Sequence, residues 1–482
     1  MPALLRRALR SLPPLALAAG LAACTAGPDF RPPPAPPQQG YTAPDESDPA
    51  ALALGAKIDA DWWRLYRSQD LDRVLKTALA GNRSLAVARA SLRRAQNLAA
   101  AAAGAELPQI DATAGAAREK LNMAAYGLSG PNPVFNLYQV GPTVSYDLDL
   151  FGRDRRTAEA AQAQADEQGY QLRAAYLSLT GNVVLRAVEI AGLEAQIRTV
   201  EGIVADDERN LALARAAKAA GSVGRGDVLH AASQLAGDRT LLPPLHQRLA
   251  VARHALALLT GHSPADWSPP GFALDGLALP TPLPLRLPSA LVRQRPDILA
   301  AEARLHAASA AIGVAQAERY PDITLSGSLL LQSVKPDQLF RMASGAGDVG
   351  GGLLAPLFHG GILAANEQAA RAAFEASRAQ YEQTVLAAFT QVADILQALS
   401  HDAEESADQA RAVAAADASL KVARLSYSAG DAGILQVLDA ERQDQQARLG
   451  AVRARADRLA DSAQLFLAMG GGWIAPPQAP AS

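Results

Sequence analysis

Side chains that most often do chemistry are sparse in this 482-residue chain and poorly spaced for it. Its seven histidines are scattered, with no His-Glu-x-x-His and no pair at i, i+4, so no metal site is expected. A single cysteine, Cys24, excludes an internal disulfide and a multi-cysteine metal cluster. No Gly-x-Ser-x-Gly elbow presents a serine nucleophile. Gly345-x-Gly347-x-x-Gly350 has dinucleotide-loop spacing, but a β-like run follows it where a helix should open, so it reads as the lead-in to a strand. His230 and His254 lie in helical stretches as ordinary side chains. The neighbours Asp206-Asp207 and Glu404-Glu405 fall on charged helical faces and are read as solvated. Nothing activates a nucleophile, so neither an enzyme nor a cofactor is expected. With 45 basic and 48 acidic residues and no basic stripe, the chain is not a nucleic-acid binder.

Cys24 points to chemistry of another kind. Arg6, Arg7 and Arg10 precede an apolar run over 12–21, and Leu21-Ala22-Ala23-Cys24 follows. This reads as a secretory signal over residues 1–23. Its end resembles the lipobox of bacterial lipoproteins, in which the cysteine is lipidated and becomes the first mature residue. Thr25, not Asp, comes next, which in Gram-negative lipoproteins favours the outer membrane. No run of 18 apolar residues occurs after Cys24, so no transmembrane helix is expected and the anchor is lipid.

The elements that could use such an anchor come in duplicate. Beyond an extended segment over 24–60, motifs recur in order at a spacing near 210 residues. Leu107-Pro108-Gln109-Ile110 returns as Tyr320-Pro321-Asp322-Ile323, and Asp149-Leu150-Phe151 as Pro356-Leu357-Phe358. Ala220-Gly221-x-x-Gly224 returns as Ala429-Gly430-x-x-Gly433. The first repeat is placed at 61–262, a Pro-rich linker at 263–288, the second repeat at 289–470 and a tail at 471–482.

Hydrophobic period switches inside each repeat. Tyr138, Val140, Pro142, Val144, Tyr146, Leu148 and Leu150 alternate with polar or small residues, which predicts a strand with one apolar face. Four strands are expected, at about 108–118, 138–150, 321–332 and 348–357. Between them the period is helical. Tyr176, Val183, Ile190, Ile197, Val204 and Leu211 fall seven apart, and Leu179, Leu193 and Val200 stand three residues on, forming a heptad seam. Long helices are predicted at about 154–219 and 361–428, and the second carries Val385, Val392, Leu399, Val413 and Leu420 with Ser406 interrupting. Each ends at a glycine turn and a shorter helix returns, at about 227–260 and 435–469; Pro243-Pro244 must break the first of these. Four strands cannot close a membrane barrel, which needs about eight, so spanning strands must be pooled between copies.

Several motifs together resemble the TolC-like outer membrane factors, specifically the OprM/NodT-type lipoproteins of RND-type tripartite efflux pumps. They are Cys24-x-x-Gly27-Pro28-Asp29-Phe30, Asp61-Trp62-Trp63, Leu242-Pro243-Pro244-Leu245, Arg295-Pro296-Asp297-Ile298 and Ile312-Gly313-Val314-Ala315. The resemblance implies a mostly helical fold with a membrane β-barrel portion, two pseudo-symmetric repeats and a homotrimer. In that trimer a 12-stranded β-barrel continues into a periplasmic α-barrel. It implies a passive exit duct for drugs and other small molecules, partnered by a periplasmic adaptor and an inner-membrane pump. Gly221, Gly224, Gly430 and Gly433 mark the expected adaptor-docking tips. Asp439 and Tyr427 match the family's closed periplasmic entrance, although Ser426 replaces the arginine seen before that tyrosine, leaving Asp439 with no obvious partner. A type I protein secretion duct of the same fold is the near alternative. A structural coiled-coil envelope lipoprotein is the distant one, and it has no use for four alternating strands.

Overall fold

The structure is a computed structural model that describes residues 25–43, 52–55, 58–127 and 129–472. The signal segment, Cys24 and the chain beyond 472 lie outside the described residues. In chain order the elements are β1 (Leu52–Leu54), α1 (Gln69–Gly81), α2 (Arg83–Gly104), β2 (Gln109–Lys120), β3 (Val134–Asp147) and α3 (Arg153–Ala219). Then come α4 (Arg225–Arg239), α5 (Leu242–Thr260), β4 (Leu283–Leu285), α6 (Pro288–Val292) and α7 (Pro296–Ala317). The chain continues through β5 (Asp322–Ser333), β6 (Gly345–Leu354), α8 (Ile362–Ala429) and α9 (Ile434–Ala468). One compact unit comprises Met1–Pro33, Ser91–Gly169 and Ala300–Glu382; the other comprises Pro34–Ala90, Tyr170–Leu299 and Gln383–Ser482. Each unit draws on both sequence repeats, so the duplicated halves are not separate globules.

In the first unit, β2, β3, β5 and β6 form one antiparallel sheet in that order. Its register carries the alternation of β3 across all four strands. Ile110 lies opposite Val144, Tyr146 opposite Leu325, and Leu325 opposite Gly351. Ile323 pairs with Leu353. These residues share one face. The opposite face takes Asp111, Thr143, Asp147, Thr324, Ser328 and Asp348, with Asp111 paired to Thr143 and Ser328 to Asp348. Ten residues at 3.3 Å each give a strand of about 33 Å, enough at the usual barrel tilt to cross an apolar band of about 25 Å. β2 and β6 form the two edges.

Two strand limits differ from the sequence reading. β3 begins at Val134 and stops at Asp147, because Asp149 takes a left-handed conformation (φ 42) and turns its carboxylate onto the start of α3. Its oxygens accept the N–H groups of Asp154 at 3.1 Å and Arg155 at 3.0 Å, filling two orphan donors of the helix. Arg153 then ties the helix back to the sheet, donating to Asp147 of β3 at 3.3 Å and Asp322 of β5 at 3.2 Å. β6 starts at Gly345 and ends at Leu354, just before Pro356, which has no N–H to donate to a ladder. Gly345, Gly347 and Gly350 are thus strand residues.

An extended strap crosses the same unit. Ala26 N–H donates to the Phe151 carbonyl at 2.8 Å, and the buried Arg156 donates to the Ala26 carbonyl at 3.1 Å and to Asp29 at 2.8 Å. Phe30 stacks on His306 with ring centres 4.4 Å apart. This is the structural content of the Gly27-Pro28-Asp29-Phe30 motif.

α3 has 67 residues and α8 has 68, each about 100 Å of helix. Tyr176, Val183, Ile190, Ile197 and Leu211 of the α3 seam are buried, as are Val385, Val392, Leu399 and Leu420 of α8. The first return is two helices, not one. α4 stops at Arg239 and α5 starts at Leu242, with Pro243 and Pro244 in its first turn, where a missing N–H costs nothing. α7 is apolar and long enough by composition to cross a membrane, but Ile298, Leu305, Ala310 and Ile312 are buried, so it is a core helix.

The second unit closes around the tryptophan motif. Trp62 is 1% exposed and stacks on Phe466 of α9 at 4.9 Å, with Tyr66 edge-on to it at 6.3 Å. The Tyr66 hydroxyl lies 2.7 Å from Ser462 Oγ. Arg295 donates to the Ala468 carbonyl at 3.0 Å and Arg286 to the Met469 carbonyl at 2.6 Å. Two guanidinium groups thus satisfy orphan carbonyls at the C-terminus of α9 and complement its dipole. Arg295 of the Arg-Pro-Asp motif thus caps α9. Trp62→Ala should cost about 3–5 kcal/mol of stability. Denaturation followed by circular dichroism checks this, and Trp62→Phe should lose distinctly less.

Candidate functional site

The two tips, both in the second unit, are built alike from backbone chemistry. At the end of α3, Ser222 N–H donates to the Ala217 carbonyl and Gly221 N–H to that of Lys218, each at 3.0 Å. At the end of α8, Asp431 N–H donates to the Ser426 carbonyl at 2.9 Å and Gly430 N–H to that of Tyr427 at 3.1 Å. Both are Schellman caps, which need a left-handed residue just past the helix. Gly221 (φ 78) and Gly430 (φ 84) supply it. A Cβ at either glycine would meet open space, so the demand is conformational, not steric. Gly224 and Gly433 take extended N-cap conformations at the starts of α4 and α9, and Gly224 N–H donates to Asp227 at 2.8 Å.

A common apolar cluster holds the tips together. Leu211, Ala214, Ala231 and Leu235 come from the first hairpin, and Leu420, Ala423, Ile434, Val437 and Leu438 from the second. Outside it, Leu213, Leu229, Val422 and Leu425 are more than half exposed.

Asp439 stands on an exposed face of α9, in the second turn after the tip. Its carboxylate accepts from Arg442 Nη2 at 2.6 Å and from Gln443 Nε2 at 3.1 Å. The expectation that Asp439 lacks a neutralising partner is therefore corrected: the partner comes from its own helix, one turn on. Tyr427, 37% exposed, lies in the last turn of α8. The two candidates occupy opposite sides of one turn. The groups that hold Asp439 are Arg442 and Gln443.

Buried charge beneath the tip was not read from the sequence. Glu441, 5% exposed, accepts from the Asn210 amide of α3 and from Arg424 of α8 at 2.8 Å, joining three helices. Asp207 is 2% exposed, so its reading as a solvated charge is overturned, while Asp206 keeps an exposed pairing with Arg209. The signal was present in the heptad count. Leu193 and Val200 mark the inner position of the seam, and the next residue in that series is Asp207. Among the described residues no group of His, Cys, Asp and Glu is arranged to hold a metal ion.

Comparisons with known proteins bear on what these tips and the sheet serve. The family described as outer membrane efflux protein matches residues 74–262 and 287–471. The pyoverdine export outer membrane protein OpmQ of Pseudomonas aeruginosa is 31% identical over 448 residues, covering 91% of this chain and 93% of that protein. The probable outer membrane lipoprotein SilC of Salmonella typhimurium is 29% identical, covering 94% and 97%. Among solved structures, the outer-membrane channel OprN superposes with a TM-score of 0.85 at 29% identity, over 93% of this chain and all of that one.

The caps yield a local expectation. Gly430→Val places a β-branched residue in left-handed space, which costs about 1–2 kcal/mol or more. Hydrogen exchange should lose protection in the last turn of α8 and first turn of α9, leaving β2–β6 unchanged.

Proposed function

We propose, from the premise that this chain belongs to the outer membrane efflux protein family, that three copies pool their strands into one exit duct. The chain is an outer-membrane efflux channel protein that extends into the periplasm. One observation carries the pooling of strands between copies, a four-stranded sheet with an apolar face across every strand and two free edges; the number three is what the family resemblance implies. Open edges in lipid would leave backbone groups unsatisfied at several kcal/mol each, so β6 of one copy takes β2 of the next.

The duplication supplies a register for that junction. Within the chain Tyr146 pairs with Leu325, and below them Phe151 stacks on Tyr320 at 4.6 Å. The matching residues in the other repeat are Leu353 and Ala112, then Phe358 and Leu107. Phe358 is 89% exposed in the single chain where its counterpart Phe151 is half-buried, as a surface awaiting a neighbour would be. Leu353 and Ala112 both lie on the apolar face, so the register preserves the inside and outside of the sheet.

In this reading Cys24 carries the lipid, supported by its place one residue before the strap and by the lipoprotein relative. The tips face a periplasmic adaptor connected to an inner-membrane pump, and their exposed leucines and valines suit an apolar docking surface. The duct does no chemistry and needs no cofactor; drugs and other small molecules are its cargo. The Arg442 contact does not remove Asp439 from the gate, because an exposed i, i+3 pair contributes only about 0.3–0.5 kcal/mol. Three Asp439 carboxylates about the axis attract cations and repel anions, while Tyr427 adds bulk to the constriction.

Three experiments test this. A chain carrying Leu353→Cys and Ala112→Cys should crosslink into covalent dimers and trimers with a short thiol reagent. Gly352→Cys with Ala112→Cys, on opposite faces, should not; equal crosslinking in both would overturn the register. The parent chain, whose only cysteine carries lipid on its sulfur in this reading, should show no reactive thiol and should incorporate labelled palmitate. In planar bilayers, Asp439→Ala should move the reversal potential toward zero with a modest rise in conductance, and Tyr427→Ala should raise conductance more. An unchanged reversal potential in Asp439→Ala makes Asp439 an ordinary surface charge.

A further inference from the structure

Two acids stand where the heptad seams call for apolar side chains. Asp207 continues the α3 series of Leu193 and Val200, and Asp402 continues the α8 series of Ala388 and Ile395, which resumes at Ala423. Asp207 is almost wholly buried and its Oδ2 has no donor; Asp402 Oδ2 is likewise buried with no donor.

What faces them is more acid. Asp207 meets Asp238 of α4, within hydrogen-bonding range, and Glu441 of α9. The cations nearby are engaged elsewhere: Arg424 of α8 with Glu441, Arg239 of α4 with Glu208, and Arg209 of α3 with Asp206. Asp402 meets Asp461 of α9 in the same way, with Asp457 of α9 and Glu405 of α8 behind it. Asp461 accepts from Gln464 at 2.6 Å, and Arg453 of α9 and Arg248 of α5 act on Asp457.

A buried carboxylate without a cation or donor neutralises instead of remaining charged. Two carboxyls in contact share one proton: the protonated oxygen donates to its partner, and both lone pairs and proton are satisfied. Burial first, and the partner acid second, push both Asp207 and Asp402 up to about 7.

We propose that the pairs Asp207–Asp238 and Asp402–Asp461 each hold one proton between a long helix and its returning helix, and that losing it in alkaline medium loosens both packings. The sign follows from linkage. The folded chain binds protons that the unfolded chain has released, so this stability is greatest in acid and declines as pH rises from about 4 through about 7. Asp207 lies roughly 20 Å of helix from its glycine turn, so the first pair acts close to the tip. The device belongs to the helix packing and does not depend on the channel's cargo.

Hydrogen exchange of the full-length protein in detergent at about pH 6 and about pH 8, corrected for intrinsic rates, tests the proposal. Protection over α3–α4 around Asp207 and over α8–α9 around Asp402 should fall roughly tenfold or more at the higher pH. Asp207→Asn should abolish the first fall only, and Asp402→Asn the second only. Asp238→Asn, at the half-exposed partner, should abolish the first fall as well, and covers the case in which the buried substitution misfolds. A protonated-carboxyl infrared band should be present at the lower pH, absent at the higher and weaker in each variant. Protection that does not change with pH in the parent chain, or a fall undiminished in Asp207→Asn, overturns the proposal.

Discussion

Everything in the first unit answers to the hydrogen bonds of a sheet that has two free edges. β2, β3, β5 and β6 satisfy one another inside the chain, yet among the described residues the outer sides of β2 and β6 have no strand partner. In water such edges are tolerable; in hydrocarbon they are not. In the proposed duct, a membrane location therefore turns a local deficiency of the chain into a requirement for more copies. The apolar alternation sets which face meets lipid. The Asp147–Arg153–Asp322 ion cluster sits where the strands give way to α3, so the charged end of the sheet is fixed by the first side chain of the helix.

A second constraint follows from helices of about 100 Å. No globular core can cover such a length, so burial is spread thinly along a seam in which small residues let helices approach. A seam of this kind tolerates few polar members, and those it keeps must be satisfied in place. Glu441 is satisfied by Asn210 and Arg424 from two other helices. Asp207 and Asp402 face other acids, and a shared proton is the remaining way to meet their needs.

How much of this was legible beforehand depended on whether the signal was periodic. Four strands, both long helices and both glycine turns could be read because alternation, heptads and left-handed caps repeat, and because duplication showed each feature twice. Strand ends were less legible. Asp149 ends β3 through a single left-handed residue and its own carboxylate, which no period announces. The proline pair marked the break in the first return but not that a fresh helix would start on it. Beneath the tip, Asp207 was readable by heptad arithmetic and was missed because neighbouring acids suggest a solvated face. Glu441 could not have been read, since its partners come from helices distant in sequence. Arg442 lies one turn from Asp439, and counting i, i+3 pairs finds it.

Duplication also explains why the most recognisable motifs carry structure, not chemistry. Trp62 and Tyr66 pack against α9, and Arg286 and Arg295 cap the end of α9, so both serve closure of the second unit. The cap has a counterpart in the first repeat, where Asn82 donates to the Leu259 carbonyl at the end of α5 at 2.9 Å. Where the repeats should be equivalent, their differences identify what a neighbour must supply. Phe151 is covered by Tyr320 within the chain, whereas its counterpart Phe358 lies bare beside the free edge of β6. A side chain covered in one repeat and exposed in the other has not lost its role. In the proposed duct its partner stands on the opposite edge of the sheet, brought alongside by a neighbouring copy.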